Sequence, residues 1–427
     1  MIALLMFLVA LAVLLMGVPV AFAFGGVAMI FAFLIPDLGF EVFNILPFRI
    51  YGIMNNTTLM AVPLFILMGL ILEKSGMAEK LLLSMSALFK GIRGGLGVSV
   101  VLVGAILAAS TGIVSASVVM MSVIALPLMI NAGYDKSLAS GTIAASGTLG
   151  QIIPPSIILI VLGDVMSVSV GDLFMGAVLP GLMLVTLYTL YILIRAFINK
   201  EDAPAIVVKE QQNFTQILQA IVPPLLLMFS VLGSIFAGIA SPTESAAFGV
   251  FGGLILSIIN KTLSKEMVRY TLFETMKLSG MIFMILIGAT TFSLVFNELG
   301  GSDIILKFFS EDIGNVWVFI GISMLSIFIL GFFIDFIEIS FIIVPILVPI
   351  MAAFGIDPIW FAVLIAMNLQ TSFLTPPFGL SLFFLKGAAG NSVTTMQIYK
   401  GIIPFIALQI LGLGLVVLFP DLVFAFL

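Results

Sequence analysis

The chain has 427 residues, of which 62% are hydrophobic and 9% charged, with a mean hydropathy of +1.34 and a net charge of −5. A soluble domain carries about 25% charged residues, so a soluble fold is excluded, and the thinly spread acidic charge points to no nucleic-acid partner. With no cysteine and no histidine, disulfides, thiolate metal sites and the usual proton shuttle are excluded as well.

Apolar runs of 18 or more residues recur along the whole length, and strands of alternating polarity are missing. The pattern predicts an all-α polytopic membrane protein rather than a barrel. The N-terminal run MIALLMFLVALAVLLMG has no basic leader and no small-residue cleavage site, so it reads as a retained membrane segment. In chain order, spans are predicted at 2–35 (kinked or split at Gly17-Val18-Pro19), 57–73, 138–163, 174–197, 216–239, 243–259, 278–296, 359–385 and 401–420. Paired helices are predicted at 95–131 and 315–354. PLFILMGLILEKSGMAEKL, 63–81, reads as a span followed by an amphipathic surface helix. NKEDAPAIVVKEQQN, 199–213, reads as a solvated linker between two halves.

Lysine and arginine set the orientation. The connection 73–94 carries Lys74, Lys80, Lys90 and Arg93; 195–215 carries Arg195, Lys200 and Lys209; 260–277 carries Lys261, Lys265, Arg269 and Lys277. These are expected in the cytoplasm. The connections 36–56, 164–173 and 297–314 carry only Arg49 and Lys307 and are expected outside. The C-terminus then falls outside and the N-terminus inside, provided each paired stretch returns to its side of entry.

A repeat emerges when the chain is slid by 222 positions. Pro127, Met129, Gly133, Asp135, Ile143, Ala144 and Pro154-Pro155 fall on Pro349, Met351, Gly355, Asp357, Ile365, Ala366 and Pro376-Pro377. By the loop charges one half enters from the cytoplasm and the other from outside. Inverted repeats with interrupted helices are the sequence signature of secondary transporters, with the site near the midplane.

The interruptions are SGTLGQIIPPS, 146–156, and NLQTSFLTPPF, 368–378. Each double proline frees backbone carbonyls. In hydrocarbon these are tolerated only where they line a cavity or lie buried in protein. Freed carbonyls and hydroxyls are hard oxygen ligands suited to an alkali cation. The helix restart after each proline pair offers N–H groups and a positive dipole end to an anion. That places an anionic substrate against Pro154, Pro155, Ser156, Ser372, Thr375, Pro376 and Pro377. A proline kink that merely bends a packed helix is the plain alternative, and finding two kinks at matching repeat positions favours a binding site.

AASTGIVSAS, 108–117, places Ser110, Thr111 and Gly112 at a hairpin tip, while Ser115 and Ser117 read as small residues that permit close packing. GFFIDFIEIS, 331–340, holds Asp335 and Glu338, the only carboxylates between Asp312 and Asp357. An intramembrane carboxylate is costly and functional by default. Asp335 is taken as the functional one and Glu338 as a solvent-facing helix start. In SPTES, 241–245, Ser241 or Thr243 is expected to cap a helix beginning near Glu244. No phosphate-binding glycine loop, catalytic dyad or metal cluster is present, so no enzyme activity is expected.

PLFILMG (63–69), GYDKSLASGTIAASGTLGQIIPPSI (133–157), SPTESAA (241–247) and GIDPIWFAVLIAMNLQTSFLTPPFGLSLF (355–383), in this order, resemble the large membrane subunit of tripartite ATP-independent periplasmic (TRAP) transporters. The resemblance covers nearly the whole chain. It implies an ion-transporter-superfamily fold with two re-entrant hairpins, two discontinuous helices, and an elevator-type transport domain moving in a scaffold. The corresponding division is scaffold helices at 1–92, transport domain at 93–166, scaffold and linker at 167–312, transport domain at 313–390, and a C-terminal helix at 391–427. The resemblance also implies sodium-driven uptake of small organic carboxylates across the bacterial inner membrane. Two partners come with it: a small four-helix (Q) subunit and a periplasmic substrate-binding (P) protein. By motif, sodium is expected at Ser110, Thr111 and Gly112; at Ser146, Gly147 and Thr148; at Gly331 and Asp335; and at Asn368, Gln370 and Thr371. Sialic-acid and dicarboxylate members tend to carry a Gly-Ser-Ser run in the first tip and a glycine-rich second break, where this chain has Gly112-Ile113-Val114 and Leu369-Gln370-Thr371-Ser372. A proton-coupled carrier titrating Asp335 and Glu338 is the competing reading.

Overall fold

The computed structural model describes residues 1–35, 38–39, 41–205 and 214–427, and the side chains of 108–111, 214 and 312 are outside that description. The side chains of Ser110 and Thr111, and residues 206–213 of the expected linker, therefore lie outside the described residues. The described residues form helices and no strand. In order the helices are α1 (Ile2–Leu15), α2 (Val20–Leu34), α3 (Leu46–Met54), α4 (Ala61–Lys74), α5 (Met77–Leu88), α6 (Gly95–Thr111), α7 (Val114–Asn131), α8 (Lys136–Thr148), α9 (Ile157–Val165) and α10 (Val170–Ile198). The second half holds α11 (Phe214–Phe236), α12 (Pro242–Ile259), α13 (Lys265–Glu298), α14 (Gly301–Lys307), α15 (Val316–Leu330), α16 (Phe336–Ile342), α17 (Val344–Ala353), α18 (Pro358–Leu374), α19 (Leu380–Ala389), α20 (Thr395–Leu418) and α21 (Asp421–Phe424). Among the described residues, six helices are long and apolar enough to cross a membrane, or eight if the pairs α4–α5 and α16–α17, bent by 63° and 51°, each count as one span. The chain is a multi-pass membrane protein.

The first span is split where expected, into two helices parted at Gly17 (φ +90°) and Pro19, which precedes the first residue of α2. Two expectations are corrected. The stretch 36–56 is not all connection: it contains a short turn of tighter helix, Glu41–Ile45, and then α3, whose Pro47 sits in the first turn, where no helical donor is lost. The span expected at 278–296 begins at Lys265, with Ser264 capping Met267 N–H. Its 34 residues make a rod of about 51 Å, well beyond the ~30 Å of hydrocarbon. Lys265, Arg269 and Lys277, which read as part of a connection, are residues of its first turns. Ser241 is the cap of α12, in a reciprocal box with Glu244, whereas Thr243 donates to Thr57 C=O at 2.6 Å.

The repeat identities have physical reasons. Asp135 and Asp357 are the N-caps of α8 and α18: Asp135 accepts from Leu138 N–H at 2.9 Å, and Asp357 from Ile359 and Trp360 N–H at 2.9 and 3.0 Å. Gly133 and Gly355, just before them, are left-handed, with φ of +85° and +67°. Pro127 and Pro349 lie inside α7 and α17.

Helix α8 is clasped by α6 and α7 and lies along α20; α18 lies against α15, α20 and α10. These crossings use residues without bulk. Gly104 and Gly147 let α8 approach α6 and α7, since a Cβ at Gly104 would stand 2.6 Å from Ser146 Cβ and one at Gly147 would stand 3.0 Å from Val118 Cα. At the α8–α20 crossing the backbones of Gly141 and Gly401 touch. Around this body stand α2, α4, α11, α12 and α13, with Phe24 edge-on to Phe292 (centroids 5.0 Å) where α2 packs on α13.

Candidate functional site

The two interruptions have a common plan. Helix α8 ends at Thr148 in a short tight turn, Leu149–Gln151, then runs extended to Ser156 before α9 begins; α18 ends at Leu374, and α19 begins at Leu380. Both Pro154-Pro155 and Pro376-Pro377 contain a cis bond. At each break the carbonyl that loses its helical donor takes a serine hydroxyl from the restarting segment. Ser156 Oγ donates to Gln151 C=O at 2.7 Å, and Ser381 Oγ donates to Phe373 C=O at 2.6 Å. Gln151 and Phe373 are repeat counterparts, 222 positions apart.

The hydroxyls of the breaks, buried except for the half-buried Thr375, hold on to main chain. Ser146 Oγ donates to Ile143 C=O at 3.1 Å, Thr148 Oγ1 to Ala145 C=O at 2.9 Å, Thr371 Oγ1 to Met367 C=O at 2.9 Å and Thr375 Oγ1 to Thr371 C=O at 2.8 Å. Each donation spends the proton and leaves oxygen lone pairs, the half of a hydroxyl that a cation uses. Two further bonds tie α18 to the second hairpin: Asn368 Nδ2 donates to Met324 C=O and Ser372 Oγ to Phe328 C=O, both at 2.7 Å.

The two breaks meet. Gln370 Nε2 lies 3.4 Å from Thr148 Oγ1, and these residues are also repeat counterparts. Counterparts touch each other only close to the axis that relates the halves, so Thr148 and Gln370 mark that axis. Tyr188 of α10 donates to Gln409 of α20, one position off the repeat register. Gln370 Oε1 and both amide atoms of Gln151 are buried without a hydrogen-bond partner. Oxygens of this kind, next to hydroxyls with free lone pairs, fit a small hard cation.

Each hairpin tip lies over a break. Gly112 is left-handed (φ +61°), and a Cβ there would stand 2.9 Å from Ile157 Cγ1 at the start of α9. Gly331 opens the second tip, and a Cβ there would stand 2.7 Å from Ser372 Oγ. A test follows from this contact. Gly331→Ala is expected to lift the second tip off the break and to cut transport severely while leaving the melting temperature within a few degrees, because the obstacles are chiefly one serine side chain and the shift is confined to the turn; purification, a thermal melt and an uptake assay check it.

Asp335 is the N-cap of α16: its Oδ1 accepts from Phe336 N–H at 2.7 Å, while Glu338 reaches back to the N–H of Asp335. Glu338 is thus not a solvent-facing helix start. It is half-buried, completes a capping box and lines a cavity of about 320 Å³. That cavity opens between the two tips, walled by Ile113 to Ser115 of the first, Phe333 to Phe336 and Glu338 of the second, Phe373 and Leu380 flanking the second break, Phe384 of α19 and Val20 of α2. It shares Ile113, Ser115 and Phe384 with a wider cleft of about 660 Å³ bordered by Glu73, Lys74, Glu79, Tyr270 and Glu274.

Over residues 7–422 the chain matches the family model described as "Tripartite ATP-independent periplasmic transporter, DctM component". The chain belongs to that family. Among its relatives, a C4-dicarboxylate TRAP transporter large permease protein from Rhodobacter capsulatus is 29% identical, with 96% of each chain covered. A Pseudomonas aeruginosa protein of the same name is 31% identical over 81% of each. A sialic acid TRAP transporter large permease protein from Vibrio cholerae is 28% identical over 95% of this chain and 93% of its own. These relatives are named as permeases, not enzymes. The crystal structure of the Alcanivorax borkumensis YdaH transporter shares the fold, with a TM-score of 0.67 and 99% coverage of both chains at 15% identity.

Within this TRAP large subunit, the residues expected from sequence fall into two groups. Ser146, Gly147, Thr148, Asn368, Gln370 and Thr371 are buried together about the axis, and Gly112 and Gly331 close over the breaks. None of Pro154, Pro155, Ser156, Ser372, Thr375, Pro376 or Pro377 lines the cavity between the tips. Pro154 and Pro155 are buried and Pro377 is exposed. The cavity instead takes Phe373 and Leu380, together with Ser115, which reads from sequence as a packing residue. Gln151 escapes the sequence reading, and Glu338 enters it only as a helix start or as half of a titrating pair. Polarity deep in an apolar run marks Gln151, and the Asp-x-x-Glu spacing of a capping box marks Glu338.

Proposed function

We propose that this chain is the large membrane subunit of a sodium-coupled, binding-protein-dependent importer of small organic carboxylates. The observation that carries this reading is the meeting of two opposed, interrupted helices at Thr148 and Gln370, with a hairpin tip laid over each break. Sodium would be held by oxygens of Ser146, Thr148, Asn368, Gln370, Thr371 and Asp335, and by main chain near Gly112, Gly147 and Gly331, with Ser110 and Thr111 at the first tip. It supplies positive charge beside a cavity that contains no basic residue. The substrate carboxylate would lie in the cavity between the tips, near the starts of α9 and α19.

The working motion is an elevator. The mobile unit comprises the hairpins and broken helices of 93–166 and 313–390. The packing of α20 along α8, and of α10 against α6, α9, α18 and α20, adds both of those helices to it. The scaffold comprises 1–92 and α11 to α14. The wide cleft reaches the side bearing the basic connections 73–94 and 260–277, so the form described here faces the cytoplasm if those connections lie inside. The names of the relatives, and the tripartite family, support a small Q subunit and a periplasmic P protein as partners. The inner membrane, with N-terminus in the cytoplasm and C-terminus in the periplasm, is the matching location.

The test is uptake into vesicles containing this chain and its small subunit, with the binding protein added outside. Flux is expected only with an inward sodium gradient and the binding protein present. Flux driven equally by a pH gradient in sodium-free buffer would instead establish the proton-coupled reading, in which Asp335 and Glu338 titrate.

A further inference from the structure

We infer that the substrate is a monocarboxylate with an apolar remainder, and that C4-dicarboxylate dianions are excluded. This rests on the importer reading above, because it takes the cavity between the hairpin tips as the substrate site.

The cavity is small and mostly apolar. Its volume of about 320 Å³ is at the lower end of the range for small-molecule sites, about 300–1,000 Å³. Its walls are chiefly Val20, Ile113, Phe333, Phe373, Leu380 and Phe384, and among the described residues its only polar side chains are Ser115, Asp335 and Glu338, with no lysine or arginine. In the adjoining cleft the one basic residue, Lys74, is already engaged, 3.1 Å from Glu73 and 4.7 Å from the ring centre of Tyr270.

Charge then separates the substrate classes. One carboxylate can be met by sodium, by Ser115 and by helix-start N–H groups. A second carboxylate, at the far end of a four-carbon acid, would meet either aromatic walls or Asp335 and Glu338. A buried anion without a partner costs several kcal/mol, and beside two acidic side chains the cost increases. The far end of the ligand is therefore apolar, matching Phe333, Phe373, Leu380 and Phe384, whose burial contributes favourably. A short branched or aromatic acid with one carboxylate satisfies both ends; succinate satisfies one.

The sequence has no cysteine, so a single introduced thiol reports on the cavity without background. Ser115→Cys, in the full chain with its small subunit in nanodiscs, is labelled by N-ethylmaleimide in sodium buffer with 4-methylpentanoate or succinate as probe. At ten times its Kd, 4-methylpentanoate is expected to slow labelling about tenfold, and only with sodium; succinate at the same concentration is expected to leave the rate unchanged. Equal or stronger sodium-dependent protection by succinate overturns the inference and leaves the importer reading intact. No protection by either probe, with or without sodium, removes the cavity as a substrate site and sinks both. Phe384→Arg in the same background supplies the missing basic group and is expected to transfer protection from 4-methylpentanoate to succinate. Thermal stabilisation of the unaltered chain by the same two probes repeats the comparison without any substitution, with the same outcomes deciding it.

Discussion

Replacing Gly401 by alanine is expected to leave no folded protein. At the crossing of α8 and α20 a Cβ on Gly401 would overlap the carbonyl of Ser137, and one on Gly141 would overlap the carbonyl of Gly401. Overpacking a core costs about 1–3 kcal/mol when side chains can turn aside. Here the obstacle is main chain on both sides, one of them capped and clasped between two hairpin arms, so the helices must part along their length. The expected result is loss of a monodisperse peak in detergent for Gly401→Ala and Gly141→Ala alike. Gly414→Ala, on the same helix with open space around it, keeps the peak and the melting temperature. A Gly401→Ala protein melting like the parent would show that the crossing is looser than described.

Asp335→Ala is expected to abolish sodium-driven uptake. Two losses are combined in it. The side-chain cap of α16 disappears, which costs about 0.5–2 kcal/mol, while the main-chain N–H of residue 335 can still donate to Glu338. The charge at the cavity wall disappears as well. Asp335→Asn separates them, since an amide oxygen still accepts from Phe336 N–H while the charge is gone. If Asp335 helps bind sodium, the asparagine variant folds and takes up substrate, but needs about tenfold more sodium for half-maximal rate, equivalent to ~1.4 kcal/mol. An asparagine variant with parental sodium dependence would limit Asp335 to capping.

Much of this architecture is legible in sequence because lipid leaves few choices. Apolar runs must be helices, and a double proline inside one either bends it or interrupts it: Pro154-Pro155 and Pro376-Pro377 mark breaks sheltered by protein, whereas Pro223-Pro224 lie inside the continuous α11. The repeat of Gly133-x-Asp135 in Gly355-x-Asp357 is legible for the same kind of reason, a left-handed turn followed by a cap. The start of α13 is not legible, because a helix that runs on into the interface carries the same lysines as a loop. Nor is the cavity wall. Phe373 and Leu380 look like ordinary lipid-facing or core residues, and only the fold brings them beside Ser115 and Glu338. Proximity in the chain draws attention to the prolines, yet these lie behind the wall and shape it from there.

The contact between Thr148 and Gln370 has one more consequence. The halves are related by rotation, but their environments differ: Pro154-Pro155 is enclosed, whereas Pro377 and Phe378 are exposed. On the elevator reading proposed above, the opposite-facing form would exchange these surroundings, uncovering the first double proline and enclosing the second, while Thr148 and Gln370 travel together within the mobile unit.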